Sequence, residues 1–173
     1  MAGNALFLVC DMINDLVHED GPNGKKGYGP ELARRKTIAN TAEALRKARG
    51  AGAKTAGLFK LGTWGTEVHP ALAPQAGDFD IVKHRVSPFY ATTLEAVLRA
   101  NHIQRLYVCG VSTSGAVLSA AKDGHDRDYD VFVLDDCCCA LSEEQHRAVI
   151  DQIQRMTTIL TAQEVTFAEE PAR

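Results

Sequence analysis

The sequence predicts an α/β fold: a three-layer sandwich with a six-stranded, mainly parallel sheet, doubly wound in the Rossmann manner. Three observations predict it. Short apolar runs alternate with helical stretches of about 10–15 residues, the spacing of right-handed β-α-β crossovers. The strongest runs, Ala5 to Cys10 and Arg105 to Cys109, are near-continuous rather than alternating, as in strands covered on both faces. No internal repeat, low-complexity block or linker breaks the pattern, so residues 1–173 read as one domain.

Taken in order, Ala5 to Cys10 is a first strand that ends at Asp11. Pro30 opens one helix running to about Arg49, with Leu32, Ile38, Ala42 and Leu45 at helical spacing and Gly50 as its stop. Lys54 to Lys60 is a second strand, weakened by Gly57. Gly62-Thr63-Trp64-Gly65 begins a loop carrying His69, Pro70 and Pro74, and Asp80 to Lys83 is a short strand. The helix from Thr92 to Ala100 has a Thr-Thr-Leu-Glu start suited to an N-cap and an acidic first turn. The strand from Arg105 breaks at Gly110 and passes through Val111 to Gly115 into a helix from about Ala116 to Asp126. Val131 to Leu134 is another buried strand. Ser142 to Met156 is a helix whose Ser142 and Gln145 fit a capping box, and Thr158 to Leu160 is a last short strand. The Gly- and Lys-rich stretch from Gly21 to Gly29 reads as a mobile loop, a lid or an interface arm. Ala168 to Arg173 reads as a frayed tail.

Composition excludes several classes. The apolar share is 45% and the charged share 24%, ordinary globular usage rather than disordered or collagen-like. Nineteen Lys and Arg against 22 Asp and Glu give a formal charge of −3, without the basic face of a nucleic-acid binder. No apolar run approaches the roughly 20 residues that cross a bilayer. No basic stretch precedes Ala5 to Cys10, so the start does not read as a signal peptide. The five cysteines are an odd number, and Cys137, Cys138 and Cys139 are adjacent; this is the usage of a reducing compartment, hence a cytoplasmic protein.

In such folds ligands bind outside the carboxyl ends of the strands, where the strand order reverses. Three features land at strand ends: Asp11, Lys83 and the turn from Gly110 to Ala116. Asp11 either accepts loop hydrogen bonds or acts as a general acid or base in a partly desolvated pocket. Lys83 is either a solvated strand end or a functional cation. The turn enters a helix start, where free N–H groups favour negative charge, so it suits an oxyanion or a nucleophile. It lacks the Gly-x-Gly-x-x-Gly of dinucleotide sites. It also fails as a Gly-x-Ser-x-Gly elbow, because Gly115 comes one place late. Ser112, Thr113 and Ser114 have no obvious His base at a strand end.

Four segments together resemble the isochorismatase-like cysteine hydrolases. They are Asp11-Met12-x-Asn14-Asp15, Gly62-Thr63-Trp64-Gly65-x-Glu67-x-His69-Pro70, Lys83-x-Arg85-x-Ser87-x-Phe89 and Gly110-Val111-Ser112-Thr113. The resemblance runs from Asp11 to about Thr161 and implies an Asp–Lys–Cys triad that hydrolyses a C–N bond through a thioester. The substrate would be a small amide, ureide or carbamoyl compound. Asp11 would take the nucleophile's proton and hand it to the leaving amine. Lys83 would sit beside both, holding Asp11 ionised and stabilising the thiolate. A cis peptide bond is implied between Val111 and Ser112, with backbone N–H groups near Ser112 and Ala116 as an oxyanion hole. No cofactor is implied, and a homo-oligomer, dimer or tetramer, is.

The chain departs from the family at the nucleophile. The pattern Gly-Val-x-Thr-x-x-Cys-Val places Cys where this chain has Ala116, followed by Val117, and alanine cannot attack a carbonyl. Three explanations compete. An engineered Cys-to-Ala change is the first. The second is the isochorismatase branch proper, in which a small residue replaces Cys and Asp11 protonates a vinyl ether. The third is a pseudoenzyme that binds a small molecule or a partner. Thr113-Ser114-Gly115 resembles the carbamoyl- and amide-cleaving branch of N-carbamoylsarcosine and maleamate amidohydrolases, which favours the first over the second. Ile13 stands where the family usually has Gln, and Leu16 where it often has Phe; both alter the pocket wall. The metal ligands of the nicotinamidase branch are missing from Gly57 to Leu61, His69 alone reads as structural, and the cysteine run lacks a second ligand pair, so no metal is expected. Trp64, Phe89 and Tyr90 are the aromatic candidates for a substrate-pocket wall, with ordinary packing as the equal alternative.

Overall fold

The computed structural model of the protein describes residues 4–58 and 62–167. Its strands are β1 (Ala5–Cys10), β2 (Lys54–Leu58), β3 (Phe79–Ile81), β4 (Arg105–Val111), β5 (Asp130–Cys139) and β6 (Thr158–Leu160). They form one sheet in the order β3-β2-β1-β4-β5-β6, and every pairing is parallel. The helices are α1 (Asn14–Val17), α2 (Gly29–Arg35), α3 (Thr37–Ala51), α4 (Leu94–Ala100), α5 (Leu118–His125) and α6 (Glu143–Ile153). They cover both sides of the sheet. The chain winds outward from β1 to β3, then crosses back to lay β4 on the other side of β1. The strand order therefore reverses between β1 and β4, and a crevice opens beyond their carboxyl ends.

The two central strands explain the continuous apolar runs. Every residue of β1 and β4 is buried, because helices cover both faces. Tyr107 stacks on Phe132 at 4.6 Å between ring centroids, and Phe167 packs against both Tyr107 and Phe7. Each such aromatic contributes about 1.5–3 kcal/mol through the area it removes from water.

Several boundaries differ from the predicted ones, each for a local reason. The single helix expected from Pro30 to Arg49 is two, α2 and α3, broken at Lys36 with φ +54°. The break lets Arg35 turn inward, where it donates to the carbonyls of Asp135 and Cys138 at 2.7 and 3.1 Å. Asn40 repairs the break, donating to Arg35 O and Asp136 O. β4 does not stop at Gly110 but continues to Val111, and β5 extends through the three cysteines to Cys139. The stretch from Gly21 to Gly29 is no open loop: it folds into a π-helical turn, Gly24–Tyr28, that leads into α2. The N-cap bond before α4 comes from Thr92, whose Oγ1 accepts from Leu94 N at 3.2 Å. Residues 59 and 60 of the second predicted strand and the predicted tail 168–173 lie outside the described residues.

Gly110 is the tightest point of the sheet. Its φ is +129°, and a Cβ there would lie 2.0 Å from the Cys10 carbonyl oxygen on the neighbouring strand. Any side chain would drive β1 and β4 apart at the mouth of the crevice. A Cβ on Gly50, in the last turn of α3, would instead meet nothing within 4 Å. Gly110→Ala is therefore expected to lower the unfolding free energy by about 3 kcal/mol or more. Gly50→Ala should raise it by about 0.4–1 kcal/mol. Urea denaturation of the two variants checks the contrast, and equal midpoints would contradict it.

Candidate active site

The site is assembled where β1 and β4 end side by side, with Cys10 opposite Gly110. Asp11, the next residue, takes a left-handed conformation (φ +54°) that Asp tolerates better than most residues. This turns the chain out of the sheet. Its Oδ2 accepts from Lys83 Nζ at 2.8 Å, in an ion pair whose side chains are 12% and 6% exposed. Asp11 Oδ1 is buried without a hydrogen-bond partner among the described residues. Burial pushes the Asp11 carboxyl above its ordinary pKa, and Lys83 offsets that only in part. The sequence expectation that Lys83 keeps Asp11 ionised thus describes the sign of its effect, but desolvation is the larger influence.

Lys83 lies two residues beyond β3, so a loop and not a strand must hold it. The loop is anchored three times. Lys83 Nζ also donates to Arg85 O at 2.9 Å. The Ser87 hydroxyl bonds to the Asp123 carboxylate on α5. Phe89, 6% exposed, packs beneath the Arg127 guanidinium, 4.7 Å from its ring centre.

Across the crevice the Val111–Ser112 peptide bond is cis. Ser112 O accepts from Gly115 N and Val117 N at 3.0 and 3.2 Å, closing a π-helical turn, Thr113–Val117, that feeds α5. Ala116 sits on this turn, 3% exposed. An open cleft of about 620 Å³ joins the parts. Asp11, Leu16 and Tyr28 line one side, Lys83 to Val86 another, and Val111, Ser112, Gly115 and Ala116 the floor of the turn. The remaining motif residues brace the first loop: Asn14 Nδ2 donates to Trp64 O at 2.8 Å, and His69 N to Met12 O at 2.8 Å. A Cβ on Gly65 would strike the Asp15 carboxylate at 2.2 Å, so the glycine of that motif permits the contact. Ile13 forms a bridge with Val68 beside these contacts.

Residues 5–164 match the Isochorismatase domain family. The chain belongs to that family. It is 33% identical over 134 residues to the ureidoacrylate amidohydrolase RutB of Methylobacterium radiotolerans, covering 77% of this chain and 46% of the relative. It is 33% identical over 102 residues to the isochorismatase family protein YecD of Escherichia coli O157:H7, covering 58% of this chain and 54% of YecD. The matches thus span about half the length of these curated relatives, or less. An isochorismatase-like hydrolase from Alkaliphilus metalliredigens superposes with a TM-score of 0.81 at 27% identity, covering 93% of this chain and 96% of that one. The N-carbamoylsarcosine amidase of Thermoplasma acidophilum shares the fold, with a TM-score of 0.81 at 24% identity over 94% of this chain and 98% of its own.

Within this isochorismatase-family domain, sequence reasoning missed one buried network. Thr113 Oγ1 lies 2.8 Å from His146 Nδ1, and His146 Nε2 lies 3.0 Å from Asp135 Oδ1. Asp135 also pairs with Arg35 and Arg147, and its carboxyl is held well below the ordinary range although burial opposes this. Thr113 therefore does have a histidine partner, but it is fully buried and does not line the cleft. The network fixes the turn rather than supplying a nucleophile. No sequence signal separates His146 from the apolar positions of α6 around it.

The three aromatic candidates are not among the cleft-lining residues. Phe89 is the core contact described above. Trp64 is 47% exposed and meets the His18 ring edge-on, and Tyr90 is 65% exposed. All five cysteines are buried free thiols, and none lines the cleft. Burial raises each of their pKa values, Cys139 to about 12, so none supplies a thiolate at neutral pH. Among the described residues no group of three His, Cys, Asp or Glu side chains is placed to hold a metal ion. Residues 59–61 of the Gly57 to Leu61 stretch, which lacks the nicotinamidase ligands, lie outside the described residues.

Lys83→Met should raise the Asp11 pKa further, since it removes the one influence that lowers it. Above that pKa the variant should lose about 1–3 kcal/mol of stability, the cost of a buried carboxylate without its counter-charge. Carbon-13 titration of the aspartate carboxyls checks this. An unmoved Asp11 would break the pairing on which the site rests.

Proposed function

We propose that this domain is an amidohydrolase in which Asp11, Lys83 and the residue at position 116 form the catalytic set. In the present chain, Ala116 makes it the inert form. The observation that carries the reading is the buried Asp11–Lys83 pair, which shares one cleft with Ala116 and with the cis Val111–Ser112 bond. Support also comes from the matching position in the family pattern and from a relative named for the hydrolysis of ureidoacrylate. Small amides, ureides or carbamoyl compounds are the substrate class.

With a cysteine at 116, Asp11 Oδ1 takes the thiol proton and the thiolate attacks the carbonyl carbon. The oxyanion lies against backbone N–H groups near Ser112 and position 116. The tetrahedral adduct collapses as Asp11 returns the proton to the nitrogen, expelling ammonia or an amine and leaving a thioester. Water then cleaves the thioester, with Asp11 again accepting a proton. Lys83 lowers the cost of negative charge on both partners.

Ala116→Cys should release ammonia from at least one of a panel of ureido acids and primary amides. Asp11 acts as a base only when ionised, so kcat/KM should fall as the pH drops through a pKa above the ordinary carboxylate value. Silence across the whole panel would sink the reading.

A second reading is favoured by one observation. The raised Asp11 pKa suits a general acid, and no sulfur is needed to protonate a vinyl ether. It requires the Ala116 chain itself to hydrolyse isochorismate, and release of pyruvate from isochorismate by that chain, rather than of ammonia by Ala116→Cys, separates it from the first. Binding without turnover by either form would leave the pseudoenzyme.

The unpaired thiols support a reducing, cytoplasmic setting. No helix of the described residues is long and apolar enough to cross a membrane. A homo-oligomer is the expected assembly; a light-scattering mass near 18.7 kDa at micromolar concentration would count against it.

A further inference from the structure

Two histidines that do not line the cleft face each other behind its first loop. His18, at the end of α1, and His69, just before the turn Pro70–Leu72, have ring centroids 5.3 Å apart. Trp64 meets the His18 ring edge-on at 5.1 Å. Each imidazole accepts a backbone N–H at Nδ1: His18 from Asp20 N at 3.1 Å, and His69 from Ala71 N at 3.2 Å. A neutral ring that accepts at Nδ1 carries its hydrogen on Nε2, so the next proton must go to the accepting atom itself. Protonation therefore turns each acceptor into a donor that faces a donor.

The contacts around the pair decide what gives way. The His18 backbone is pinned: its N donates to Asn14 O at 3.1 Å, its O accepts from Gly21 N at 2.9 Å, and a Cβ on Gly24 would lie 1.9 Å from that oxygen. His69 belongs instead to the segment from Trp64 to Leu72, which is stitched to the residues after Asp11. The stitches are His69 N to Met12 O, Asn14 N to Glu67 O and the bridge of Ile13 with Val68. Burial first, and then the His18 ring, hold the His69 pKa below its ordinary 6.5 against the pull of Glu19. Asp20 Oδ2 lies 3.9 Å from His18 Nδ1 and also pairs with Lys25 at 3.6 Å. A proton on His18 thus finds a carboxylate, whereas one on His69 meets a second positive ring.

We propose that His18 and His69 form an acid-sensitive clasp. Neutral, they hold the Trp64 to Leu72 segment against α1; charged, they release it, and with it the support of the first loop, whose Leu16 lines the cleft. The sign is fixed by linkage. Neutral His69 contributes stability that is complete above the unfolded value near 6.5 and is lost as the pH falls from there to the lowered pKa of the folded chain. The clasp does not depend on what the cleft hydrolyses.

The test is amide hydrogen exchange by NMR from about pH 7.5 to about pH 5, corrected for the intrinsic pH dependence of exchange, with Trp64 emission followed in parallel. Trp64 is the one tryptophan of the chain, so quenching by the imidazolium beside it reports the arrival of the proton. Protection of the Ala71 amide should fall about fivefold over that range, the worth of one capping bond, and Asn14 should follow it. Val133 in β5 should stay protected. Asparagine places an acceptor where histidine has Nδ1 but cannot take the proton, so His69→Asn should keep Ala71 protected at the acid end. His18→Asn, at a half-exposed position, removes the opposing charge and should move the loss to lower pH. Constant protection at Ala71, with or without quenching, would overturn the inference. So would a loss that survives His69→Asn, a His18→Asn chain with the parent's profile, or an equal fall at Val133, which would mark global opening.

Discussion

The Asp11–Lys83 ion pair is the constraint around which the site is organised. Two charges this far from water cost several kcal/mol to desolvate, and only a short, well-made contact offsets that. The pair has the contact, at 2.8 Å, but it also needs its two chains delivered to the same place. Asp11 arrives on β1, the strand at the reversal of the sheet, and leaves it in a left-handed turn. Lys83 arrives on a loop with no sheet partner of its own. The bonds of Ser87 to Asp123 and of Phe89 to Arg127 are what make that loop rigid enough to carry a buried cation. In the motif Lys83-x-Arg85-x-Ser87-x-Phe89 the later residues therefore hold the lysine in place.

A second set of polar contacts holds the opposite wall. Thr113, His146, Asp135 and Arg35 join the cis turn to α6, β5 and α2 in an unbroken chain of hydrogen bonds. Its Thr113–His146 link is fully buried, so it is worth more than it would be in water, and breaking it would leave a buried polar atom unpaired. The break between α2 and α3 follows from the same demand. A continuous helix would carry Arg35 past β5; the left-handed Lys36 brings it back.

This division explains what was legible in the sequence. β1 was readable to the residue, because a strand covered on both faces leaves an uninterrupted apolar run. Asp11 and Lys83 stood out because a charge directly after an apolar run is conspicuous. The extension of β5 through Cys137, Cys138 and Cys139 was hidden by Asp135 and Asp136, which are polar residues inside a strand. Each has a tertiary partner: Asp135 takes His146 and two arginines, and Asp136 accepts from Ala162 N. His146 was invisible for the same reason, since its meaning lies in Thr113, 33 positions earlier. The aromatic candidates were left with two readings for a different reason. Phe89 holds the Lys83 loop from below, and a sequence does not distinguish a residue that braces a pocket from one that faces it.

Position 116 is the member of the site with the least structural attachment. The Asp11 carboxylate is held by Lys83, and the turn is held by Thr113 and by the carbonyl of Ser112. None of these bonds involves the side chain at 116, which is a methyl group at the edge of the cleft. On the proposed reading its identity decides whether a nucleophile exists without deciding whether the site forms. A thiol at 116 would add one sulfur atom beside an open cleft, where overpacking costs little. The remaining machinery has its own reasons to stay in place: an unpaired Lys83 or a freed Asp135 would be a buried charge without a partner. The architecture keeps a carboxylate, an ammonium and a turn of backbone in position whether or not the residue they surround can react.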